Sequence, residues 1–360
     1  MGIPFDKKEL EVMGKQMLRT INTKNEVSIY NYPTTPREAY RGMFNGRPVW
    51  ISYLVETQYV MPYIIPDNVA RGLASDIALT NEQKGGPDMF GIEWQFIPQV
   101  GGSMVRPGKP LLEDISQWRE KVKFPDVDSW DWEGASKRWK ERHDPNKAQM
   151  AMLHNGFWFE RLISFMDFEN AAIAMITEQE ELNELFTATT DVACKIVDKF
   201  VEYFDLDSVN VHDDWGTMKS SFFSPACCAE VIVPHMRRFT DYCHSKGLIC
   251  DLHSCGKIDN QIDNILAAGW DSWTPMSICD TSALYEKAGD KMILGVMPEI
   301  FDPATTTEEE QRQYARNFVD KFCHPGKIAK YSIYGIELLT PAFLEELYVY
   351  GRKRFAEFYD

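Results

Sequence analysis

Gly247-Leu248-Ile249-Cys250-Asp251-Leu252-His253-Ser254-Cys255-Gly256 is the stretch whose reading decides the fold. Its apolar part, Leu248–Leu252, has the length and composition of a short strand buried on both faces. A polar turn follows, and then a helical pattern from Asn260 to Ala268. A strand that exits through a turn into a helix is half of a βαβ unit. At that exit His253 and Cys255 stand two positions apart, so their side chains leave on the same side. One borderline and one soft ligand can then converge on a single metal, and zinc accepts both.

The same layout recurs on either side. Gln149–Leu153 ends at His154-Asn155-Gly156, and Asp207–Val211 ends at His212-Asp213-Asp214-Trp215-Gly216. Gly269–Thr274 runs into Pro275-Met276, Met292–Val296 into Met297-Pro298-Glu299, and Ile328–Ile333 into Tyr334-Gly335. Helical patterns lie between them at Trp158–Phe165, Phe168–Met175 and Glu178–Phe204. Another runs from Ser224-Pro225 to Lys246, with Ser224 as N-cap and Pro225 in the first turn. Two more start at Thr306 or Thr307 and at Thr340-Pro341. This alternation predicts an α/β protein, a (β/α)₈ TIM barrel. An open doubly wound sheet is the alternative, but no Gly-x-Gly-x-x-Gly follows any strand. Residues 1–360 are read as one barrel domain. Within it, residues 1–35 form an N-terminal extension with an amphipathic helix over Lys7–Ile21. Residues 85–132, rich in Pro, Gly and Trp, form an ordered excursion with a hairpin around Ile92–Val105.

A barrel opens all its strand carboxyl ends on one face, and sites are built there. That geometry gathers His154, Asn155, His212 to Asp214, His253, Cys255, Met276, Met297 to Glu299 and Tyr334. It sends Cys323-His324 to the opposite face, because that pair precedes the last strand. Cys227-Cys228 lies on a helix, where adjacent side chains point apart. Asp251-x-His253-x-x-Gly256 matches the corrinoid-binding signature, but that signature needs a downstream Gly-Gly. Here Gly85-Gly86 and Gly101-Gly102 are both upstream, so the match is accidental.

The 360 residues carry a net charge of −16, a surface that repels phosphate, so nucleic acid and anionic membranes are not expected partners. No apolar run approaches the ~20 residues needed to cross a bilayer. The start of the chain lacks a signal-peptide layout, and eight cysteines in such a chain point to reduced thiols, so a cytoplasmic location is expected.

With these residues assembled, the chain resembles the uroporphyrinogen decarboxylase superfamily, in particular its corrinoid-dependent methyltransferase branch, which includes O-demethylases and methylcobalamin:coenzyme M methyltransferases. The resemblance covers residues 35–360. It rests on Arg47-Pro48-Val49-Trp50, Asp213-Asp214-Trp215-Gly216 followed by Ser224-Pro225, Pro234, His253-Ser254-Cys255-Gly256 and Gly295-Val296-Met297-Pro298. In the decarboxylases an arginine-bearing stretch follows the first motif and binds substrate carboxylates. Here it reads Ile51-Ser52-Tyr53-Leu54-Val55-Glu56, without arginine, which speaks against a porphyrinogen substrate.

The resemblance implies zinc held by His-x-Cys and a later ligand near the last strand, where this chain has Tyr334 and no cysteine. The expected metal set is therefore His253, Cys255 and Glu299, with Asp214 and Cys279 as other candidates for the third position. The implied activity is methyl transfer between a small methylated donor, a methoxylated aromatic by preference, and the cobalt of a corrinoid carried by a separate partner protein. Asp214 and His212 are the candidate acid or orienting groups. Tyr53, Asn155, Trp215, Met297 and Tyr334 are the candidate substrate-binding residues. With an aromatic content of 13%, rings such as Trp94, Trp158, Trp215, Trp270 and Trp273 can furnish a stacking surface, although core packing accounts for most of them. Two other functions compete: a metal-free decarboxylase or lyase using Asp214 and His253, and a non-catalytic binder of a tetrapyrrole or a corrinoid protein. Self-association is left open.

Overall fold

The computed structural model describes residues 3–20, 23–65, 75–99, 101–108 and 110–358. Its strands, in chain order, are β1 (Val12–Arg19), β2 (Lys24–Tyr30), β3 (Thr57–Val60), β4 (Gly86–Pro87), β5 (Glu93–Ile97), β6 (Gly102–Val105), β7 (Ala148–Leu153), β8 (Ser208–His212), β9 (Ile249–His253), β10 (Ser272–Thr274), β11 (Ile293–Val296), β12 (Cys323–His324) and β13 (Lys327–Tyr331). The main sheet is eight-stranded and mostly parallel, and helices alternate with its strands, so the protein is α/β as the sequence pattern predicts.

The chain divides into two compact units. One comprises Met1–Gln58, Asp144–Ala148 and Asp271–Asp360. In it β10, β11 and β13 run parallel, and β12 folds back antiparallel on the start of β13. Cys323 and His324 thus pair with Ile328 and Lys327, at the amino-terminal end of that strand. The helix Pro341–Phe358 is tied to the chain start by Arg352. Its buried guanidinium donates to both Glu9 oxygens at 2.9 and 3.0 Å.

The N-terminal helix expected over Lys7–Ile21 is not formed over residues 7–20; Ile21 lies outside the described residues. A single 3₁₀ turn, Lys7–Leu10, is followed by β1, which pairs antiparallel with β2. Val12, Met13 and Met17 stay exposed while Leu18 is buried, so the apolar positions do not serve one helical face. Gly14 sits in the middle of the stretch, where it costs a helix about 1 kcal/mol relative to alanine.

The second unit comprises Tyr59–His143 and Gln149–Trp270. Its parallel strands β7, β8 and β9 are almost wholly buried, as their unbroken apolar runs require. The excursion contains the expected hairpin, β5 with β6, and β4 adds a third antiparallel strand. Asp88 organises it. Its carboxylate accepts from the backbone N–H groups of Phe90 and Ile92, from Trp94 Nε1, each at 2.9 Å, and from Arg161 at 2.7 Å.

Ser224 caps the helix that begins at Pro225, accepting from Cys227 N at 3.2 Å. The helix expected to continue to Lys246 is instead two, Pro225–Val231 and Val233–Ser245. Pro234 has no N–H to continue the ladder, which breaks at Ile232, two residues before it. Among the described residues no helix is long and apolar enough to cross a membrane.

Candidate metal centre

Strand register builds the site. In the parallel pair β8–β9, His212 is the direct partner of His253, and Leu153 of β7 is level with Val211. The residue after each of these, or at the strand end itself, is a histidine: His154, His212 and His253. Their rings form a ladder across three strand exits. His154 stacks on His212 at 4.5 Å with planes 6° apart, and His212 lies 4.9 Å from His253 at 28°.

Cys255 closes the group. Its Sγ is 3.6 Å from His253 Nε2 and 3.8 Å from His212 Nε2, and donor atoms of all three residues lie within 4.8 Å of one another. Zinc in a tetrahedron, with bonds of about 2.0–2.1 Å to nitrogen and about 2.3 Å to sulfur, separates N from S by roughly 3.6 Å. Both nitrogen-to-sulfur distances are close to the spacing zinc requires, and the donor types of His212, His253 and Cys255 fit the ion. Asp214 Oδ1 lies 3.3 Å from His212 Nε2 and accepts from the backbone N–H of Cys255 at 2.6 Å.

The turn after β9 reaches this position because residue 256 is glycine. Its φ of +102° lies in the region that glycine alone adopts freely. A Cβ there would also come within 2.3 Å of the Gly216 backbone.

A ring of carboxylates surrounds the donors. Glu160 Oε2 is 3.3 Å from His212 Nδ1, and Asp213 accepts from Glu160 N (3.1 Å) and Trp215 Nε1 (2.6 Å). Burial disfavours a charged His212, but the carboxylates of Asp214 and Glu160 outweigh it and hold the ring pKa well above the usual range. Burial and the neighbouring Asp214 push Glu160 up in turn. Burial, reinforced by Glu160, lifts Asp213 to about 7. Burial and then the other two rings keep His154 well below its ordinary value, so it is neutral. Burial also raises the Cys255 thiol. Crowded acids and a reluctant thiol describe a site short of positive charge, which a divalent cation would relieve.

The residues expected from the sequence separate clearly. His253, Cys255, His212 and Asp214 come together. Asn155 is buried, its Oδ1 facing the Arg161 guanidinium at 3.1 Å. Trp215 is fully buried with Phe223 packed against its ring, and presents no surface for stacking a ligand.

The remaining candidates belong to the other unit. Tyr53 is buried there, its hydroxyl paired with that of Tyr32. Met297 N is held by Thr281 Oγ1 at 3.0 Å, and Tyr334 N by Ser332 Oγ at 3.3 Å. Glu299 is exposed, accepts from Asn317 at 3.5 Å, and is in neither group of donors centred on His212. Cys279 is buried. Glu160 was not among the expected residues. The signal for it is positional: an acid in the first turn of the helix that follows β7.

Compared with known proteins, the chain matches no known family and no curated protein. A methyltransferase from Methanosarcina mazei superposes with a TM-score of 0.56 at 15% identity, over 89% of this chain and 99% of its own. At that identity the likeness shows the fold. A chitinase from Chromobacterium violaceum, at 11% identity over 65% of this chain and 87% of its own, reaches a TM-score of 0.31, too low to carry an argument.

Proposed function

We propose that this chain is a cytoplasmic, zinc-assisted methyltransferase on a (β/α)₈ barrel, moving a methyl group from a small methylated donor to the cobalt of a corrinoid on a separate partner protein. The observation that carries this reading is the donor set His212, His253 and Cys255 at the carboxyl ends of neighbouring parallel strands, where a barrel places its chemistry. The fold likeness to a methyltransferase supports it. His212 takes the third ligand position in this proposal, in place of Glu299.

Bound zinc supplies Lewis acidity toward the heteroatom that leaves with the bonding electrons. The chain's own residues do the rest. His212, His253 and Cys255 would hold the ion, and three protein ligands would leave room for the donor, as in catalytic zinc sites. Asp214, 3.3 Å from His212 Nε2, orients that edge of the site. We favour a methoxylated aromatic donor: the C–O bond breaks with its electrons on oxygen as the methyl group passes to cobalt.

Metal analysis of the purified protein tests the reading. About one zinc per chain is expected, lost in His253→Ala and Cys255→Ala. Metal-free protein that still turns over a methyl donor would overturn it.

A further inference from the structure

We propose that Glu160 is the positioning residue of this centre, fixing the His212 ring in the tautomer that offers Nε2 to the metal. The inference rests on the metal-site reading above and goes beyond it to a residue that is not itself among the three ligands. Glu160 lies in the first turn of the helix Phe159–Met166. Its Oε2 faces His212 Nδ1 at 3.3 Å and also accepts from Asp214 N at 3.3 Å. Its own backbone N–H donates to Asp213 Oδ1 at 3.1 Å, and the other Asp213 oxygen is held by Trp215 Nε1 at 2.6 Å. The loop before this helix closes onto Asp213 because residue 156 is glycine: a Cβ there would lie 2.2 Å from Asp213 Oδ1. The carboxylate is thus locked opposite one nitrogen of the ring.

A neutral imidazole carries one N–H. A carboxylate fixed at Nδ1 accepts only from an Nδ1–H, so the lone pair is left on Nε2, the atom that faces Cys255 Sγ at 3.8 Å. Without Glu160 the carboxylate left beside the ring is Asp214, whose Oδ1 lies 3.3 Å from Nε2 and favours the opposite tautomer. The ring then reaches the metal only after selecting the right tautomer and orientation.

The test reads metal binding directly, by zinc competition against a chromophoric chelator and by the visible spectrum of the cobalt(II)-substituted protein. Glu160→Ala is expected to weaken zinc by ~10–100-fold. Glu160→Gln keeps an acceptor oxygen without the charge and is expected to fall between Glu160→Ala and the parent protein, measurably weaker than the parent. Long-range ¹⁵N–¹H spectra of the zinc-loaded parent protein are expected to show His212 as the Nδ1–H tautomer, a readout that needs no variant to fold. Unchanged affinity in Glu160→Gln, a Glu160→Gln as weak as Glu160→Ala, or an Nε2–H signature at His212 overturns the role of Glu160. Failure of the underlying reading looks different: the parent protein then takes up no stoichiometric zinc, or His253→Ala and Cys255→Ala bind as it does.

Discussion

His212→Ala removes the proposed third ligand, and its expected effect follows from the geometry. His212 Nε2 and His253 Nε2 stand 3.8 and 3.6 Å from Cys255 Sγ, so an ion bound by Cys255 and His253 would have His212 beside it. Structural zinc sites of four protein ligands have apparent binding free energies of roughly 10–16 kcal/mol at neutral pH, or about 2.5–4 kcal/mol for each ligand. At 1.4 kcal/mol per decade, loss of His212 is expected to raise the zinc Kd by ~10²–10³-fold. The companion variant Glu299→Ala is expected to leave it within about twofold, since that carboxylate is exposed and bonded to Asn317. Chelator competition at fixed pH and salt measures both. A Glu299→Ala loss as large as that of His212→Ala would refute the assignment, as would a His212→Ala protein that keeps parental affinity.

Two further outcomes test the frame around the centre. Asp88→Ala leaves the fully buried Arg161 guanidinium without its carboxylate and is expected to cost about 3–5 kcal/mol by chemical denaturation; a change below 1 kcal/mol would show that the pair is not holding the excursion in place. His235, buried and bonded through Nε2 to Asn183 Oδ1 at 2.9 Å, has its pKa lowered to about 4, by burial first and then by Arg238. Its unfolded-state pKa is about 6.5, so on acidification the unfolded chain takes up the proton first. The stability present above that value is therefore lost progressively between pH 6.5 and 4. In His235→Gln this part of the acid sensitivity is expected to vanish, which urea titrations at pH 7, 5.5 and 4.5 would show; equal pH slopes in both proteins would contradict it.

Much of the fold was legible because its signals are local. Short apolar runs such as Gln149–Leu153 and Leu248–Leu252 lie within a residue of β7 and β9, and Ser224 and Thr307 cap helices where their side chains predict. Residues 7–19 misled because leucine and methionine fall at helical spacing there, while the pairing that overrides propensity comes from β2, an element the local pattern does not contain. His253 and Cys255 were legible as a pair since their spacing alone puts them on one side. His212 was visible as a strand-end histidine, but its place opposite His253 depends on how β8 registers with β9. Glu160 was less visible still: its approach to His212 depends on the helix after β7 being closed over Asp213.

The central claim, methyl transfer to a corrinoid, is tested most directly by a single-turnover experiment. The zinc-loaded protein is mixed with a Co(I)-corrinoid and, in turn, with methoxyarenes, methylamines and methyl thiols, while the cobalt absorbance is followed. The account predicts loss of the Co(I) band with a methoxylated aromatic, and no change with the Cys255→Ala protein. A Co(I) band that persists with every donor, or that decays equally without the protein, would contradict it.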